Sequence, residues 1–326
     1  MKRIAVLTSG GDAPGMNAAI RAVVRTARYN DVEVCGVRNG YQGLIDDDIQ
    51  PLDNKDVGGI IGRGGTILRT ARCKAFFEPE GRARAAATLK KHEADGLVVI
   101  GGDGSYRGAQ ALQNEQNIAV IGVPGTIDND IGGTDFTIGF DTALNVALDA
   151  IDRIRDTAES HNRLFFIEVM GRHSGYIAMM SGLAGGAEDI LCPEEPTDIA
   201  RLLAHLERRH SSRGKTSAIV VVAEGDDAGN AFQVAERIKA QAPAYFGGTR
   251  VVVIGHMQRG GAPTAIDRIR ASRFGLRAVE ALLAGETGMM TGISNNRVVL
   301  RPLEEAWQTR THFDPDLLRE ARILAT

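Results

Sequence analysis

Short apolar runs alternate with helical patterns along the chain, and this alternation limits the folds that the chain can adopt. Apolar residues recur on one helical face over Met16–Tyr29, Asp141–Glu159 and Thr264–Leu283. Strands that alternate with helices of this length predict βαβ units, and therefore an α/β fold with mainly parallel sheets and helices on both faces. The runs that we interpret as strands are Ile4–Leu7, Val32–Val37, Leu97–Ile100, Ile118–Ile121, Leu164–Val169, Ala218–Val222 and Val251–Ile254.

Composition agrees with this prediction. A chain of 326 residues is long enough to bury two hydrophobic cores. Its 39 glycines, combined with only 5% aromatic residues, indicate many tight turns between strands and helices. No low-complexity linker divides the sequence, so Gly132–Thr137 is the best candidate for a domain boundary.

Several classes of protein are disfavoured by the sequence. A net charge of −3 provides no basic field for nucleic acid. The longest apolar run, Ala218–Ala223, is far shorter than the roughly 18 residues of a membrane span, and Ile4–Leu7 ends too soon for a signal peptide. We therefore expect neither nucleic-acid nor membrane partners. The three cysteines are far apart, form no metal-binding spacing and suggest the reducing cytoplasm: Cys35, Cys73 and Cys192.

Two glycine turns that carry acids follow consecutive predicted strands. VVIGGDGSYRG holds Asp103, and IGVPGTIDNDIGGTDFTIG holds Asp128 and Asp130. Glycine turns after parallel strands expose amides that bind phosphate, and a carboxylate among them can hold a divalent cation. A second carboxylate nearby could deprotonate an acceptor hydroxyl. Metal ligand and base are two main parts of a phosphoryl-transfer site, which is the function that these turns predict.

The first predicted strand opens into TSGGDAPGMNAAIRAVVR, where Gly10 and Gly11 precede a helix. Such a turn can bring the backbone close to an anion, although an ordinary βα turn explains the glycine pair equally well. Neither the G-x-G-x-x-G fingerprint nor a G-x-x-x-x-G-K-[ST] loop is present.

Basic residues lie near several other glycine turns. Arg63, Arg69 and Arg72 occur in GRGGTILRTAR and are either solvated or available to a phosphoryl group. Arg172 follows a strand in MGRHSGY, whose Ser174 lacks the spacing of a hydrolase nucleophile. We expect two more basic clusters at strand edges, one with His161 and Arg163, the other with Arg250, His256 and Arg259.

The order and spacing of six motifs make the chain resemble the bacterial ATP-dependent 6-phosphofructokinase family. They are TSGGDAPGMNAAIR, RGGT, IGGDGS, PGTIDND, EVMGR and GHMQRGG, and the resemblance extends to about Gly285. It implies transfer of phosphate from Mg·ATP to the 1-hydroxyl of fructose 6-phosphate, the committing step of glycolysis. It also implies the phosphofructokinase fold, with two doubly wound, Rossmann-like domains of three α/β/α layers, assembled as a homotetramer. The implied domains are 1–138 with about 258–307 for ATP, and about 139–257 with 308–326 for the sugar phosphate.

The resemblance implies a role for each site residue. Asp128 would be the general base, Asp103 the Mg²⁺ ligand, and Arg72 and Arg172 would stabilise the transferring phosphoryl group. The 6-phosphate would contact His256 and Arg259 of one subunit and Arg163 and Arg250 of its neighbour. ATP would be bound by Gly11, Arg72, Cys73, Gly102, Asp103, Gly104 and Ser105. The sugar phosphate would be bound by Thr126, Ile127, Asp128, Asp130, Arg163, Met170, Gly171, Arg172, Glu224, Arg250, His256, Gln258 and Arg259.

A second site for ADP or phosphoenolpyruvate is implied as well. Arg21 and Arg25 are one helical turn apart and can point at one anion, although a solvated helix face is the alternative. Asn54 and Thr216 stand where the family often has basic residues, so we expect a weakened or altered response. The implied effector residues are Arg21, Arg25, Arg155, Gly186, Glu188, Arg213 and Lys215.

Three alternatives are open to test. Pyrophosphate-dependent relatives have an aspartate in the metal loop and a lysine before T-I-D, where this chain has Gly104 and Gly125. Lipid and NAD kinases share a G-G-D-G turn but lack T-I-D-N-D and G-H-x-Q-R-G-G. A non-catalytic sugar-phosphate sensor would be signalled by loss of Asp103 or Asp128, and both are present.

Overall fold

Parallel strands dominate both sheets of the structure, a computed structural model that describes residues 1–213, 217–243, 248–309 and 314–325. The chain forms two compact units. Unit 1 comprises Met1–Thr142 and Arg259–Thr311, and unit 2 comprises Ala143–Gln258 and His312–Thr326. The division falls later in the chain than the Gly132–Thr137 turn.

Unit 1 contains a seven-stranded sheet of order β11-β10-β5-β4-β1-β2-β3. Its central pairs are parallel, whereas β3 and β11 pair antiparallel at the two edges. The strands are β1 (Arg3–Thr8), β2 (Glu33–Val37), β3 (Ile49–Leu52), β4 (Gly96–Gly101), β5 (Ala119–Pro124), β10 (Met289–Ser294) and β11 (Arg297–Pro302). The helices are α1 (Met16–Tyr29), α2 (Gly40–Asp46), α3 (Pro79–Lys91), α4 (Asp103–Gln116), α9 (Ala265–Leu283) and α10 (Glu305–Gln308), with a 3₁₀ turn at Ala75–Phe77.

Both faces of this sheet are buried. Ala5 and Leu7 of β1 belong to a core with α2, α3 and α4, while the alternate residues Ile4 and Val6 are equally buried. Helices α1 and α9 pack closely, since a Cβ at Gly275 would lie 2.7 Å from the Ala19 carbonyl oxygen. Strands buried on both faces explain the continuous apolar runs of the sequence.

Unit 2 contains a four-stranded parallel sheet of order β7-β8-β6-β9. Helix α5 (Phe140–His161) begins in unit 1 and continues into unit 2. The strands are β6 (Leu164–Val169), β7 (Asp189–Leu191), β8 (Ala218–Ala223) and β9 (Arg250–Val253). The other helices are α6 (Tyr176–Ala184), α7 (Ile199–Arg213), α8 (Ala231–Gln241) and α11 (Pro315–Leu324), with a 3₁₀ turn at Gly255–Arg259.

The predicted α/β fold with mainly parallel sheets is confirmed. Met16–Tyr29 and Leu164–Val169 have the predicted bounds, and β5 extends to Pro124, beyond the predicted end at Ile121. Four strands were not predicted, namely β3, β7, β10 and β11. Strands β3, β7 and β11 lie at sheet edges and β10 lies next to an edge; each is short or carries glycine, proline or polar residues that interrupt the apolar pattern.

Candidate active site

Asp103 lies just beyond the carboxyl end of β4, as the first residue of α4. A carboxylate in the first turn of a helix interacts favourably with the helix dipole. Gly101 is tightly packed, since a Cβ there would lie 2.5 Å from the Ser9 carbonyl oxygen. Gly104 is the opposite case, because its Cβ would have no neighbour within 4 Å. The turn that carries Asp103 is therefore fixed by packing at Gly101 and open to solvent at Gly104.

Asp128 lies beyond the carboxyl end of β5 and is only 2% exposed. Its backbone N–H donates to Thr126 Oγ1 at 3.2 Å. Asn129, in the left-handed region with φ 50°, accepts at Oδ1 from the Thr137 N–H at 2.9 Å. The Thr137 hydroxyl donates to the Thr126 carbonyl at 2.7 Å. The loop that carries Asp128 is thus closed by its own side chains.

The two acid-bearing loops are neighbours in unit 1. The Gly125 N–H donates to the Gly101 carbonyl at 3.0 Å, and a Cβ at Gly102 would lie 3.9 Å from Thr126 Cβ. Gly125 is itself confined, because its Cβ would lie 3.1 Å from Ile100 Cγ2. Because β4 and β5 are adjacent parallel strands, the two turns lie at the same edge of the sheet.

The arginine-rich segment GRGGTILRTAR is anchored to the first strand and helix. Asn17 is 1% exposed; it donates to the Arg63 and Gly64 carbonyls, both at 3.1 Å, and accepts from the Ile67 N–H at 2.8 Å. The Thr70 hydroxyl donates to the Gly10 carbonyl at 2.7 Å. These bonds fix the backbone of the segment, and the Arg72 side chain that follows is exposed.

Arg259 lies on the Gly11 turn. Its Nη1 donates to the Asp12 carbonyl at 3.2 Å, and a Cβ at Gly11 would lie 2.6 Å from the same nitrogen. The close approach explains a glycine at position 11. Both residues belong to unit 1, so in this structure the guanidinium of Arg259 stands beside the turn that we assign to ATP.

In unit 2, Glu224 and Gln258 hold the turn that follows β6. Glu224 Oε1 accepts from the N–H groups of Gly171, at 3.2 Å, and Arg172, at 2.7 Å. Gln258 Oε1 accepts from the Met170 N–H at 2.9 Å. Because Gln258 is fully buried, it touches this backbone and not solvent. Its observed contact is with the Met170 amide, and direct sugar binding by Gln258 stays a prediction.

Arg163 and Arg250 lie together at the opposite end of the same sheet. Arg163 precedes β6, and Arg250 begins β9, which pairs with β6. Arg250 Nη1 donates to the Gly248 carbonyl at 3.2 Å, and a Cβ at Gly248 would lie 3.9 Å from Arg163 Cγ. His256 follows the carboxyl end of β9 and is exposed. Strand β9 lies between Arg250 and His256, so within unit 2 these two members of the expected cluster are at opposite ends of the strand.

Three of the expected effector residues converge in unit 2. Arg155 Nη2 donates to the Gly185 and Gly186 carbonyls at 2.6 and 2.7 Å, and its Nη1 lies 3.7 Å from Glu188 Oε1. Glu188 is buried and also accepts from Arg209 at 3.1 Å, a partner that the sequence did not indicate. Lys215 and Thr216 lie outside the described residues, as does the side chain of Arg213.

Arg21 and Arg25 are close on α1 in unit 1. Burial, followed by the nearby Arg25 charge, lowers the pKa of Arg21 below its usual value. Two guanidinium groups one helical turn apart are suited to one anion with several oxygens.

The residues at Asp103 fit a magnesium ion that is held mainly by nucleotide phosphates. Mg²⁺ keeps several waters and uses one or two carboxylates together with substrate phosphates, not a protein cage. Within the described part of the chain no cluster of three or more His, Cys, Asp or Glu side chains could hold a metal alone. Asp103 supplies one half-exposed carboxylate as a ligand, and the open space at Gly104 leaves room for the phosphates.

Two further sequence expectations bear on the environment of the protein. The three cysteines are free thiols, and burial raises the pKa of Cys35 to about 11. Among the described helices, none has the length and apolar character needed to cross a membrane.

Comparison with known proteins places the chain among sugar-phosphate kinases. The family model described as phosphofructokinase matches residues 3–282. The ATP-dependent 6-phosphofructokinase 1 of Thermus thermophilus is 57% identical over 325 residues, and the ATP-dependent 6-phosphofructokinase of Bacillus mycoides is 56% identical, each match covering 100% of both chains. A solved structure of phosphofructokinase from Saccharomyces cerevisiae has a TM-score of 0.86 and 38% identity over 94% of this chain, which spans 45% of the yeast chain. Because the family model covers most of the chain and full-length relatives are more than half identical to it, the chain belongs to the phosphofructokinase family.

Proposed function

We propose that this chain transfers the γ-phosphoryl group of ATP to the 1-hydroxyl of D-fructose 6-phosphate, giving fructose 1,6-bisphosphate and ADP. The observation that carries the proposal is the adjacency of the Asp103 and Asp128 loops, joined by the Gly125–Gly101 hydrogen bond. Metal ligand and base on neighbouring loops are what an in-line phosphoryl transfer requires. Full-length relatives that are named ATP-dependent 6-phosphofructokinases support this reaction over the pyrophosphate alternative.

In the proposed reaction, Asp128 accepts the proton of the 1-hydroxyl as that oxygen forms a bond to the γ-phosphorus. The bond from the γ-phosphorus to the β,γ-bridging oxygen breaks, and ADP leaves with the electron pair. Arg72 and Arg172 stabilise the negative charge on the transferring group. Asp103 would hold Mg²⁺, which neutralises charge on the nucleotide phosphates when bound.

Substrate binding follows the same assignment. Gly11, Cys73 and the Gly102–Ser105 turn would contact ATP, and the 6-phosphate would be bound by His256, Arg259, Arg163 and Arg250. Arg163 and Arg250 lie together at the amino end of their sheet, away from Glu224. This placement supports the proposal that these two arginines serve the site of a neighbouring subunit in a homotetramer.

A coupled assay with fructose 6-phosphate tests donor and acceptor together. We expect turnover with Mg·ATP and negligible turnover with Mg·pyrophosphate. Preference for pyrophosphate would contradict the proposed donor, and no product with either donor under saturating sugar phosphate would contradict the reaction itself.

Gly104→Asp tests the donor assignment within the protein. The open space at Gly104 admits a side chain, so the variant should unfold at the temperature of the wild type. An anion beside the phosphates costs several kcal/mol, and we expect kcat/KM for ATP to fall by about 100-fold or more. Gly104→Ala is the matched control and should stay within about 3-fold of wild type, because a methyl group adds little volume and no charge. Equal effects of the two substitutions would show that charge is not the cause.

An effector site for ADP or phosphoenolpyruvate is part of the proposal. The paired guanidinium groups of Arg21 and Arg25 support an anion site on α1, while Arg155 and Glu188 form a second charged group in unit 2. Titration of both effectors at subsaturating fructose 6-phosphate should show a smaller response in Arg25→Ala than in the wild type. Arg28→Ala, on the same helix but paired with Asp53, is the control. Identical responses in all three proteins would make the arginine pair ordinary surface.

Cytoplasmic location is proposed on the free thiols alone.

A further inference from the structure

Asp267 is a fully buried carboxylate that the proposed reaction does not use. It lies in the first turn of α9, which Thr264 caps by accepting from the Asp267 N–H at 3.3 Å. Its Oδ2 accepts from the N–H of Thr142 at 2.8 Å and from the Thr142 hydroxyl at 2.6 Å. A buried carboxylate is costly unless it is hydrogen-bonded, so these contacts offset a real desolvation penalty. Thr142, which makes both contacts, lies in the first turn of α5 and is far from Asp267 in the sequence.

The contact between the two helix starts is reciprocal. The Thr264 hydroxyl donates to Asp141 Oδ2 at 2.6 Å, and the Thr264 N–H donates to the Thr142 hydroxyl oxygen at 3.0 Å. In a local capping box the acid at Asp267 would have bonded back to the Thr264 N–H. Here Asp267 instead accepts from the Thr142 N–H of α5, and the Thr142 hydroxyl accepts from the Thr264 N–H in its place. These bonds satisfy amides at both N-termini and connect the start of α9 to the start of α5 within unit 1.

The start of α5 follows directly on the segment that closes the Asp128 loop. The Thr126 N–H donates to the Ile138 carbonyl at 3.1 Å, and the Ile138 N–H donates to the Pro124 carbonyl at 2.8 Å. Gly15 lies against both elements, since its Cβ would be 2.6 Å from Ile138 Cγ2 and 3.7 Å from Asp267 Cβ. Close packing of this kind transmits small shifts, so movement at Thr142 would reach Thr126 through Ile138.

We propose that Asp267 is a positioning residue for phosphoryl transfer, which fixes the return of the Asp128 loop by capping α5 from α9. The inference rests on the proposed role of Asp128 as the base. Burial raises the pKa of the Asp267 carboxyl, whereas the hydrogen bonds from Thr142 and Gly139 lower it, as expected for a dry, structured site. Two other charged groups interact electrostatically with this carboxyl. The Asp141 charge raises the pKa of Asp267 further, and Asp267 in turn raises the pKa of the Arg270 guanidinium.

Asp267→Ala tests the proposal, with Asp198→Ala as the matched control. Asp198 also accepts two backbone N–H bonds at a helix start, those of Ala200 and Arg201 in unit 2. Because a 1 Å misplacement can cost about 100-fold, we expect kcat of Asp267→Ala to fall about 10–100-fold. KM for ATP should stay within about 3-fold, since the ATP-binding groups themselves are retained. Asp198→Ala should keep the wild-type kcat, and Asp267→Asn should recover most of it, because its amide oxygen still accepts both bonds from Thr142.

Combination with Asp128→Asn separates positioning from a general structural defect. If Asp267 acts through Asp128, adding Asp267→Ala to Asp128→Asn should lower kcat by less than about 3-fold further, since the base is already lost. A full multiplicative loss would overturn the proposal, and so would a wild-type kcat in folded Asp267→Ala. Failure of Asp128→Asn to lower kcat would instead overturn the base assignment.

Thr142→Val carries the test if Asp267→Ala does not fold. It removes both hydroxyl bonds, keeps the backbone N–H bond and preserves the side-chain shape. We expect its kcat to fall about 3–10-fold, an intermediate loss that matches the partial loss of the cap. A wild-type kcat in this variant would overturn the proposal.

Discussion

The turn that carries Asp128 in unit 1 and the turn that carries Arg172 in unit 2 are held by different means. The first is buried and cross-linked by side chains of its own loop, Thr126, Asn129 and Thr137. The second relies on acceptors from other strands, Glu224 and Gln258, and its arginine side chain is exposed. A base must be held at one place, whereas a long cation needs a fixed backbone from which its side chain extends. The two turns therefore meet different requirements of one proposed reaction.

Asp128→Asn should produce the largest effect. Removal of a positioned general base costs about 10²–10⁴-fold, so kcat should fall by that factor while the affinity for ATP stays near that of the wild type. Steady-state kinetics and equilibrium nucleotide titration measure the two quantities. Retention of a tenth or more of the wild-type kcat would remove Asp128 from this role.

The turn that carries Asp128 was easier to predict from the sequence than the turn that carries Arg172. Strand, glycine and acid follow one another locally in PGTIDND, so both the element and its chemistry were evident. The residues that hold the Arg172 turn are remote in sequence, since Glu224 follows β8 and Gln258 follows β9, the two strands that flank β6. Nothing local in the sequence indicated that Gln258 would accept from the Met170 amide.

Hairpin β10–β11 shows another limit of prediction. Its strands MMTGIS and RVVLRP carry polar residues and glycine, so no apolar run marked them. The signal that could have found them is the turn, where Asn295 and Asn296 both have positive φ, at 49° and 62°. Consecutive asparagines suit such two-residue hairpin turns. Thr264 and Asp267 had a local capping signature too, but nothing local indicated that Thr142 would be the partner of Asp267.

Asn129→Ala should break the cross-linked turn. It removes the bonds to Thr137 and Asp135 and forces alanine into the left-handed region. Lost hydrogen bonds and backbone strain together should lower the free energy of unfolding by about 2–4 kcal/mol. Denaturant unfolding measures the loss.

Asn129→Gly is the matched control, because glycine tolerates the backbone conformation but lacks the side chain. It should be less destabilised than Asn129→Ala by about 1 kcal/mol, the approximate strain of the left-handed conformation. Equal stabilities would mean that backbone conformation contributes nothing at this position.

Glu224 offers a smaller test, of the turn held by external acceptors. Glu224→Gln keeps an oxygen that can accept from the Gly171 and Arg172 amides, whereas Glu224→Ala removes it. We expect kcat/KM for fructose 6-phosphate to fall about 10–30-fold in Glu224→Ala, because the turn loses two bonds to a charged acceptor. Glu224→Gln should lose less than about 5-fold. Equal losses would show that the charge of Glu224, and not its support of the turn, is what matters.

The smallest effect concerns Asp226, a buried acid two residues beyond Glu224. It accepts from the Thr197 hydroxyl and the Ala228 N–H, both at 2.9 Å, yet burial raises the pKa of its carboxyl above the ordinary value. The folded state thus binds the Asp226 proton more tightly than the unfolded state does. The resulting stability is present below the unfolded pKa of about 3.9 and is lost as pH rises through the folded pKa.

Asp226→Asn cannot ionise, so its melting temperature relative to the wild type should increase as pH is raised from about 4 to 7. Calorimetry of both proteins across this range measures the difference, which cancels the titration of all other groups. If this difference in melting temperature stays constant or decreases as pH is raised, the hydrogen bonds of Asp226 fully compensate its buried charge. The polar groups of the loop after β8 would then be as well satisfied as those of the loop after β5.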